Sequence, residues 1–340
     1  MRPFRYQRAR DAGDAVGSAA SLVRAGLSAV EAPTQFLAGG TTLIDLMKLD
    51  VMHPGKLIDI KPIARRHSEI EFKNGTLRLG GLVRMSDAAD HPMLKREFPV
   101  IAQSLEYAAS PQLRHMATLA GNVLQRTRCH YFRDVSWKSC NKRKPGSGCA
   151  AMDGVNRRHA VLGVSEHCIA AYPGDFAQAL IALDAVVEIL GASGAMMIPF
   201  AQLHREPGTA PDIETRLAPG ALITAFMIPA GPWTRRSLYL KIRDRESFDF
   251  ALASAAVALQ IEDGAVVAAR IALGGVATVP WRAHDAEAVL IGRPLDRNQA
   301  YEAARVAFAP ANPRAGNRYK VELGKRTLAR ALLAAAALEI

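Results

Sequence analysis

All four cysteines of the chain, Cys129, Cys140, Cys149 and Cys168, fall within one stretch, Pro111 to Ala185. Such a cluster, with no cysteine elsewhere, points to a small set of chemistries. Disulfides belong to exported proteins. Structural zinc usually shows close C-x₂₋₄-C pairs, and this chain has none. A [4Fe–4S] cluster also takes four thiolates, and wide spacing suits a loop wrapped around a large cubane better than one around a small ion. Four inert buried thiols are the remaining reading. Lys138, Lys142, Arg143 and Lys144 lie between the candidate ligands and either offset the charge of a thiolate-bound cluster or form a solvated face. Asp134, Asn141, Pro145, Gly146 and Gly148 are turn formers, so the stretch is expected to be a loop excursion rather than a packed core.

A second candidate lies near the N-terminus. Thr34 to Ala38 has the character of a strand, Gly39-Gly40-Thr41-Thr42 of a tight turn, and Leu43 to Lys48 of a helix. A strand, a Gly-Gly turn and a helix start form an anion cradle, because glycine lets backbone amides approach a diphosphate. It is not the G-x-G-x-x-G fingerprint, so the usual dinucleotide fold is not indicated. Two more short motifs flank the cysteines: Thr118-Leu119-Ala120-Gly121-Asn122, and Tyr172-Pro173-Gly174-Asp175 with Asp175 at a helix N-cap position.

The elements that must position these residues are mixed. At 340 residues, 49% hydrophobic and 22% charged, the chain can bury real cores in two or three domains. Strands are expected at 56–60, 186–190, 221–228, 237–242 and 266–273, and hairpins turn at Asn74-Gly75 and Asp263-Gly264. Helices are expected at 98–109, 176–183, 248–260, 285–291, 297–308 and 318–338. The main boundary falls in the proline-rich passage near 215. The order lacks the alternation of a doubly wound sheet and reads as α+β.

Lys and Arg number 43 against 32 Asp and Glu, a net charge of +11. The charge is scattered, and there is neither a nucleic-acid motif nor a supply of aromatics to stack bases, so a solvated face or a rim for protein partners is expected. No apolar run reaches the length of a membrane span. The N-terminus lacks the apolar core of a secretory signal, which places the chain in the cytoplasm, or in the periplasm if a partner carries the export signal.

Taken together, these motifs resemble the FAD-binding subunits of molybdenum hydroxylases, the xanthine dehydrogenase and carbon monoxide dehydrogenase group. Leu37-Ala38-Gly39-Gly40-Thr41-Thr42-Leu43-Ile44 is similar to the family's first FAD loop, Ala117 to Asn122 to its second and Pro173-Gly174-Asp175 to its third. Lys241-Ile242-Arg243 and Arg270 to Ala277 are similar to its C-terminal domain. The four-cysteine excursion between Asn122 and Asp175 resembles the [4Fe–4S] form of the subunit, and Cys140 to Arg143 with Pro145 to Ala150 resemble the periplasmic-type aldehyde oxidoreductase branch. The 4-hydroxybenzoyl-CoA reductase type, and a metal-stapled scaffold without turnover, are the alternatives.

The resemblance implies an α+β chain. A two-part FAD-binding domain of the vanillyl-alcohol-oxidase/PCMH-like type would occupy 1–60 and 61–215, with the iron–sulfur loop at 123–170. A C-terminal α+β domain with a small antiparallel sheet would occupy 216–340. It implies FAD held at the diphosphate by Ala38 to Leu43, and by Thr118, Gly121 and Asn122 at the diphosphate and ribityl chain. Asp175 would accept from a cofactor hydroxyl, Ile223 would pack near the ring system and Lys241 would lie beside the isoalloxazine. The four cysteines would ligate [4Fe–4S]. Implied partners are a large molybdopterin subunit, a small [2Fe–2S] subunit and an external electron acceptor. One departure is Ala120, where many members carry glycine.

Overall fold

Residues 1–20 and 30–340 are described in a computed structural model. The first part holds β1 (Arg5–Arg8), α1 (Ala12–Ala20), β2 (Thr34–Leu37), α2 (Leu43–Lys48) and β3 (Lys56–Asp59). β3 lies between β1 and β2 and runs parallel to both. Alternate residues of β3 serve different cores. Ile58 packs with Val16, Leu82 and Leu222, whereas Leu57 packs with Leu37, Leu46 and Met52. Burial on both faces is what a parallel sheet requires.

The second part opens with the hairpin β4 (Ile70–Lys73) and β5 (Thr76–Gly80). Asn74 and Gly75 take φ of 50° and 72°, the left-handed pair of a tight primed turn. Short helices follow: α3 (Met85–Asp90), α4 (Pro92–Glu97), α5 (Pro99–Glu106), α6 (Pro111–Met116) and α7 (Leu119–Val123). Proline opens α4, α5 and α6, where its missing N–H costs nothing. Between Cys129 and Cys168 there is one short helix, α8 (His130–Arg133). Then come α9 (Phe176–Ala182), β6 (Val186–Gly191), β7 (Gly194–Pro199) and β8 (Leu222–Pro229). The sheet runs β4-β5-β8-β6-β7, all antiparallel. β8 is thus a central strand of this sheet. The expected division near 215 put that strand in the second half, because nothing local in its sequence reveals a partner as distant as β5.

The third part is β9 (Ser237–Ile242), β10 (Ala253–Glu262), β11 (Ala265–Gly274), β12 (Trp281–Arg282), α10 (His284–Leu290), α11 (Arg297–Ala307) and α12 (Tyr319–Ala336). Its four strands form an antiparallel sheet, ordered β12-β11-β10-β9. The helix expected at 248–260 is corrected: this segment forms the strand β10. Ala256 and Ala258 pack into the large core of the second part, while Ala255, Val257 and Leu259 pack into the core of the third. A strand buried on both faces shows no polar alternation, and small alanines let helices approach it from both sides, so the sequence mimics a helix. No helix among the described residues is long and apolar enough to cross a membrane.

Lys320 on α12 is fully buried. Its Nζ donates to the carbonyls of Gly275 (2.7 Å) and Arg158 (3.2 Å), tying helix, sheet and cysteine stretch together. Burial, with Arg158 and Arg157 nearby, lowers its pKa to about 7, against 10.5 for the ordinary side chain. Between those two values the unfolded chain holds the proton and the folded chain does not, so stability rises with pH across that window. The stability of wild type relative to Lys320→Met, from urea denaturation, is expected to rise from pH 7 to pH 10 by up to about 1.4 kcal/mol per pH unit. A flat difference would contradict a depressed Lys320.

Candidate cofactor cleft and cysteine cage

The first and second motifs meet because Gly39 has no side chain. A Cβ there would collide with the carbonyl oxygen of Met116, so any other residue would drive the β2–α2 turn away from the α6–α7 connection. Gly40 takes a positive φ of 76°, which completes the turn. Between the two motifs opens a cleft of about 520 Å³. Ala38 to Leu43 line one side, Thr118, Ala120 and Gly121 another, and Ile223 on β8 the floor, with the 212–222 segment closing the rest. Its size suits an organic cofactor or a large part of one. Thr118 caps α7, its Oγ1 accepting from the Gly121 amide at 3.2 Å. Ala120 lines the cleft, so the extra methyl of that departure faces the ligand space.

Five of the expected residues do not line the cleft. Leu37 is buried beneath it with Leu46 and Met47, and Ile44 packs at the edge of the same cluster. Asn122, on α7, is buried and does not line the cleft, and its Oδ1 has no partner. Asp175 and Lys241 meet each other instead: Lys241 Nζ donates to Asp175 Oδ2 at 2.7 Å and to the Tyr107 carbonyl at 3.0 Å. The hydroxyl of Tyr239 donates to Asp175 Oδ1 at 2.6 Å, and burial followed by the Asp175 charge pushes that phenol far up. Asp175 holds the N-cap position of α9 but makes no capping bond, because its carboxylate is taken by residues of β9. The two side chains are 5% and 1% exposed, so this is a buried ion pair locking the third part against the second.

The cysteine stretch is irregular in backbone, as expected, but it is packed rather than flung out. Cys140 and Cys168 are buried. Cys140 and Phe132 join the core beneath the cleft, and Arg128 and Arg133 bridge to Asp45 of α2 at 3.3 and 2.8 Å. All four cysteines line one small cavity, shared with His159 and His167. Cys140 and Cys149 face each other in an antiparallel bridge. Asn141 knits that pair to the Cys168 segment: its Nδ2 donates to the His167 carbonyl at 3.0 Å and its Oδ1 accepts from the Gly148 amide at 2.8 Å. His159 Nε2 lies 3.2 Å from Cys129 Sγ. No disulfide joins the four cysteines. Burial pushes Cys129 up to about 12 and Cys168 to about 11, so both thiols hold their protons near neutral pH. By type and convergence these residues fit a four-thiolate group. The cavity is only about 10 Å³, however, and no cluster of His, Cys, Asp or Glu among the described residues is disposed to hold a metal ion as it stands.

The intervening cations divide. Lys138 and Lys144 are solvated. Arg143 Nη1 donates to the carbonyls of Tyr131 (2.7 Å) and Phe132 (2.8 Å) on α8. Lys142 turns inward to Glu214 at 2.9 Å, and Glu214 also accepts from Arg126 Nε at 2.5 Å. Burial pushes the Glu214 carboxyl up, but Arg126 and Lys142 outweigh it and hold it below the ordinary range. His159, Arg126 and Glu214 were not singled out in the sequence. Arg126 and Glu214 stand 88 positions apart, so no local pattern links them.

A Gly-Gly turn and a second capped turn facing each other across an apolar cleft, with a small antiparallel domain docked behind, define a chain that carries a nucleotide cofactor. Comparison with known proteins says which. The model described as FAD binding domain in molybdopterin dehydrogenase matches residues 2–231, and that of the CO dehydrogenase flavoprotein C-terminal domain matches 238–335. The chain is 45% identical to the aldehyde oxidoreductase FAD-binding subunit PaoB of Escherichia coli, over 99% of each chain. It is 27% identical to the carbon monoxide dehydrogenase medium chain of Afipia carboxidovorans, over 94% of this chain and 90% of that one. A structure of reconstituted CO dehydrogenase from Oligotropha carboxidovorans superposes with a TM-score of 0.75 at 25% identity, covering 99% of both chains. The chain belongs to the FAD-binding medium subunits of the molybdenum hydroxylase family and is an oxidoreductase flavoprotein.

Two outcomes follow from this geometry. Gly39→Ala should weaken FAD binding by about tenfold or more while far-UV circular dichroism is unchanged, since it parts the two turns; wild-type affinity in a flavin fluorescence titration would contradict the role given to that contact. Lys241→Met should cost about 3 kcal/mol in urea denaturation by leaving Asp175 buried and uncompensated. Adding Asp175→Asn should recover part of that loss, and simple additivity would show that the pair is not coupled.

Proposed function

We propose that this chain is the FAD- and [4Fe–4S]-carrying electron-transfer subunit of a heterotrimeric molybdenum-containing aldehyde oxidoreductase. In this reading substrate oxidation takes place at molybdopterin in a large partner, a small partner carries [2Fe–2S], and electrons leave by an external acceptor. The observation that carries it is the convergence of four free thiols on one cavity, in a loop pinned by Arg128 and Arg133 to the helix that follows the Gly-Gly turn. The 45% identity to an aldehyde oxidoreductase subunit supports the aldehyde branch.

When bound, FAD supplies exchange between two-electron and one-electron steps, and a [4Fe–4S] group supplies one-electron exchange. The residues of this chain bind and orient. Ala38 to Leu43, Thr118 and Gly121 present the walls of the cleft, and Ile223 excludes water from its floor. Cys129, Cys140, Cys149 and Cys168 would be the four ligands of the [4Fe–4S] group. Asn141 holds the Cys140–Cys149 pair against the Cys168 segment, and His159 stands beside Cys129. No acid or base is assigned in this subunit, because flavin redox cycling demands none.

Anaerobically isolated complex, assayed for iron, sulfide and flavin on one sample, should contain about four irons and four sulfides for each copy of this chain, beyond those of the small partner, together with FAD. Cys129→Ser should lose that iron before it loses flavin. Flavin with zinc and no additional iron would overturn the electron-relay reading, and folded complex with neither flavin nor metal would favour a scaffold.

A further inference from the structure

We propose that Arg126 is a direct contact of the flavin nucleotide and that Glu214 is a positioning residue joining it to the four-cysteine loop. Arg126 stands between the second cofactor turn and Cys129, lines the cleft and is 6% exposed. Its Nε is taken by Glu214 Oε2 at 2.5 Å, and its guanidinium lies over the Phe132 ring, 4.9 Å from the centroid. Nη1 and Nη2 are buried and have no partner. A guanidinium carries five donors and no acceptor, and leaving several of them buried and unmet is costly. An acceptor oxygen of the nucleotide, whether of the diphosphate or of a ring carbonyl, is the partner the cleft supplies.

Glu214 is shared, Oε2 with Arg126 and Oε1 with Lys142 Nζ at 2.9 Å. Asp212 also lines the cleft, so it is the unmet guanidinium donors, rather than net charge, that point to the nucleotide. Lys142 also donates to the Pro211 carbonyl at 3.0 Å and lines the same cavity as Cys168. One unbroken chain, Arg126–Glu214–Lys142, therefore spans from the cleft to the cysteines, and the order of one site bears on the other. The Arg126 part rests on flavin binding alone; the Glu214 part rests also on the four-cysteine reading.

The test uses the assembled complex, deflavinated and titrated with FAD by fluorescence, with iron and sulfide assayed in parallel. Arg126→Gln is expected to raise the Kd about 10- to 100-fold with iron content unchanged, and this loss of affinity should exceed the loss of stability of the deflavinated complex, because Lys142 still compensates Glu214. Arg126→Lys, which keeps the charge but not the two-armed donation, should recover part of the loss. Glu214→Gln should weaken FAD binding and also lower iron content. A Kd for Arg126→Gln within about twofold of wild type would overturn the contact. So would a Kd change accompanied by an equal fall in stability of the deflavinated protein, which marks a merely structural role. Glu214→Gln with full iron content would sever the link between the sites. Wild type that binds FAD but contains no additional iron would instead overturn the iron–sulfur reading and leave the Arg126 measurement interpretable.

Discussion

The backbone of Gly39 rests against the carbonyl of Met116, with no space for even a methyl group between them. That approach joins β2 and α2 to the turn capped by Thr118, and the cleft exists only because the two turns sit this close. The sheets behind serve to hold them there. β3 anchors the first turn through cores on both its faces, and β8 brings Ile223 to the floor from the centre of the five-stranded sheet. Close backbone contact is a natural device for a diphosphate, which is recognised by amides rather than by a particular side chain.

The cysteine loop is built onto this frame rather than beside it. Phe132 and Cys140 share a core with Leu37, Leu46 and Leu57, so the loop rests under the first turn. Arg128, Arg133 and Lys142 spend their charge on Asp45 and Glu214, both on the cofactor side. On the far side, Arg157 and Arg158 pair with Asp244, and Lys320 reaches the Arg158 carbonyl, so the same stretch also grips the third part. A segment fastened at both ends of its span holds its cysteines in place with little regular secondary structure. This is why its burial exceeds what its turn-forming composition suggests.

Much of the chain was legible because its signals are local. Asn74-Gly75 and Asp263-Gly264 take the left-handed conformations that their types favour, and the Gly-Gly turn sits between strand and helix as its spacing indicates. Cysteine is a rare residue with a narrow chemistry, so four together singled out one stretch, and all four line one small cavity. What escaped depends on distant partners. β10 reads as a helix because its alanines serve two cores at once. Asp175 reads as a helix cap, yet Lys241 and Tyr239 claim its carboxylate from another part of the chain. Arg126 carries no local mark of function. Its meaning lies in Glu214 and in two buried nitrogens with no partner, both visible only in three dimensions.

If one subunit carries two redox groups, flavin in the cleft and an iron–sulfur cluster among the cysteines, diffraction data from crystals of the intact complex collected on either side of the iron absorption edge will show both. A strong iron anomalous peak should be enclosed by Cys129, Cys140, Cys149 and Cys168, with FAD density along Ala38 to Leu43 and Thr118. A peak at the zinc edge alone, or thiols joined in disulfides with no anomalous signal between them, would contradict the two-group reading.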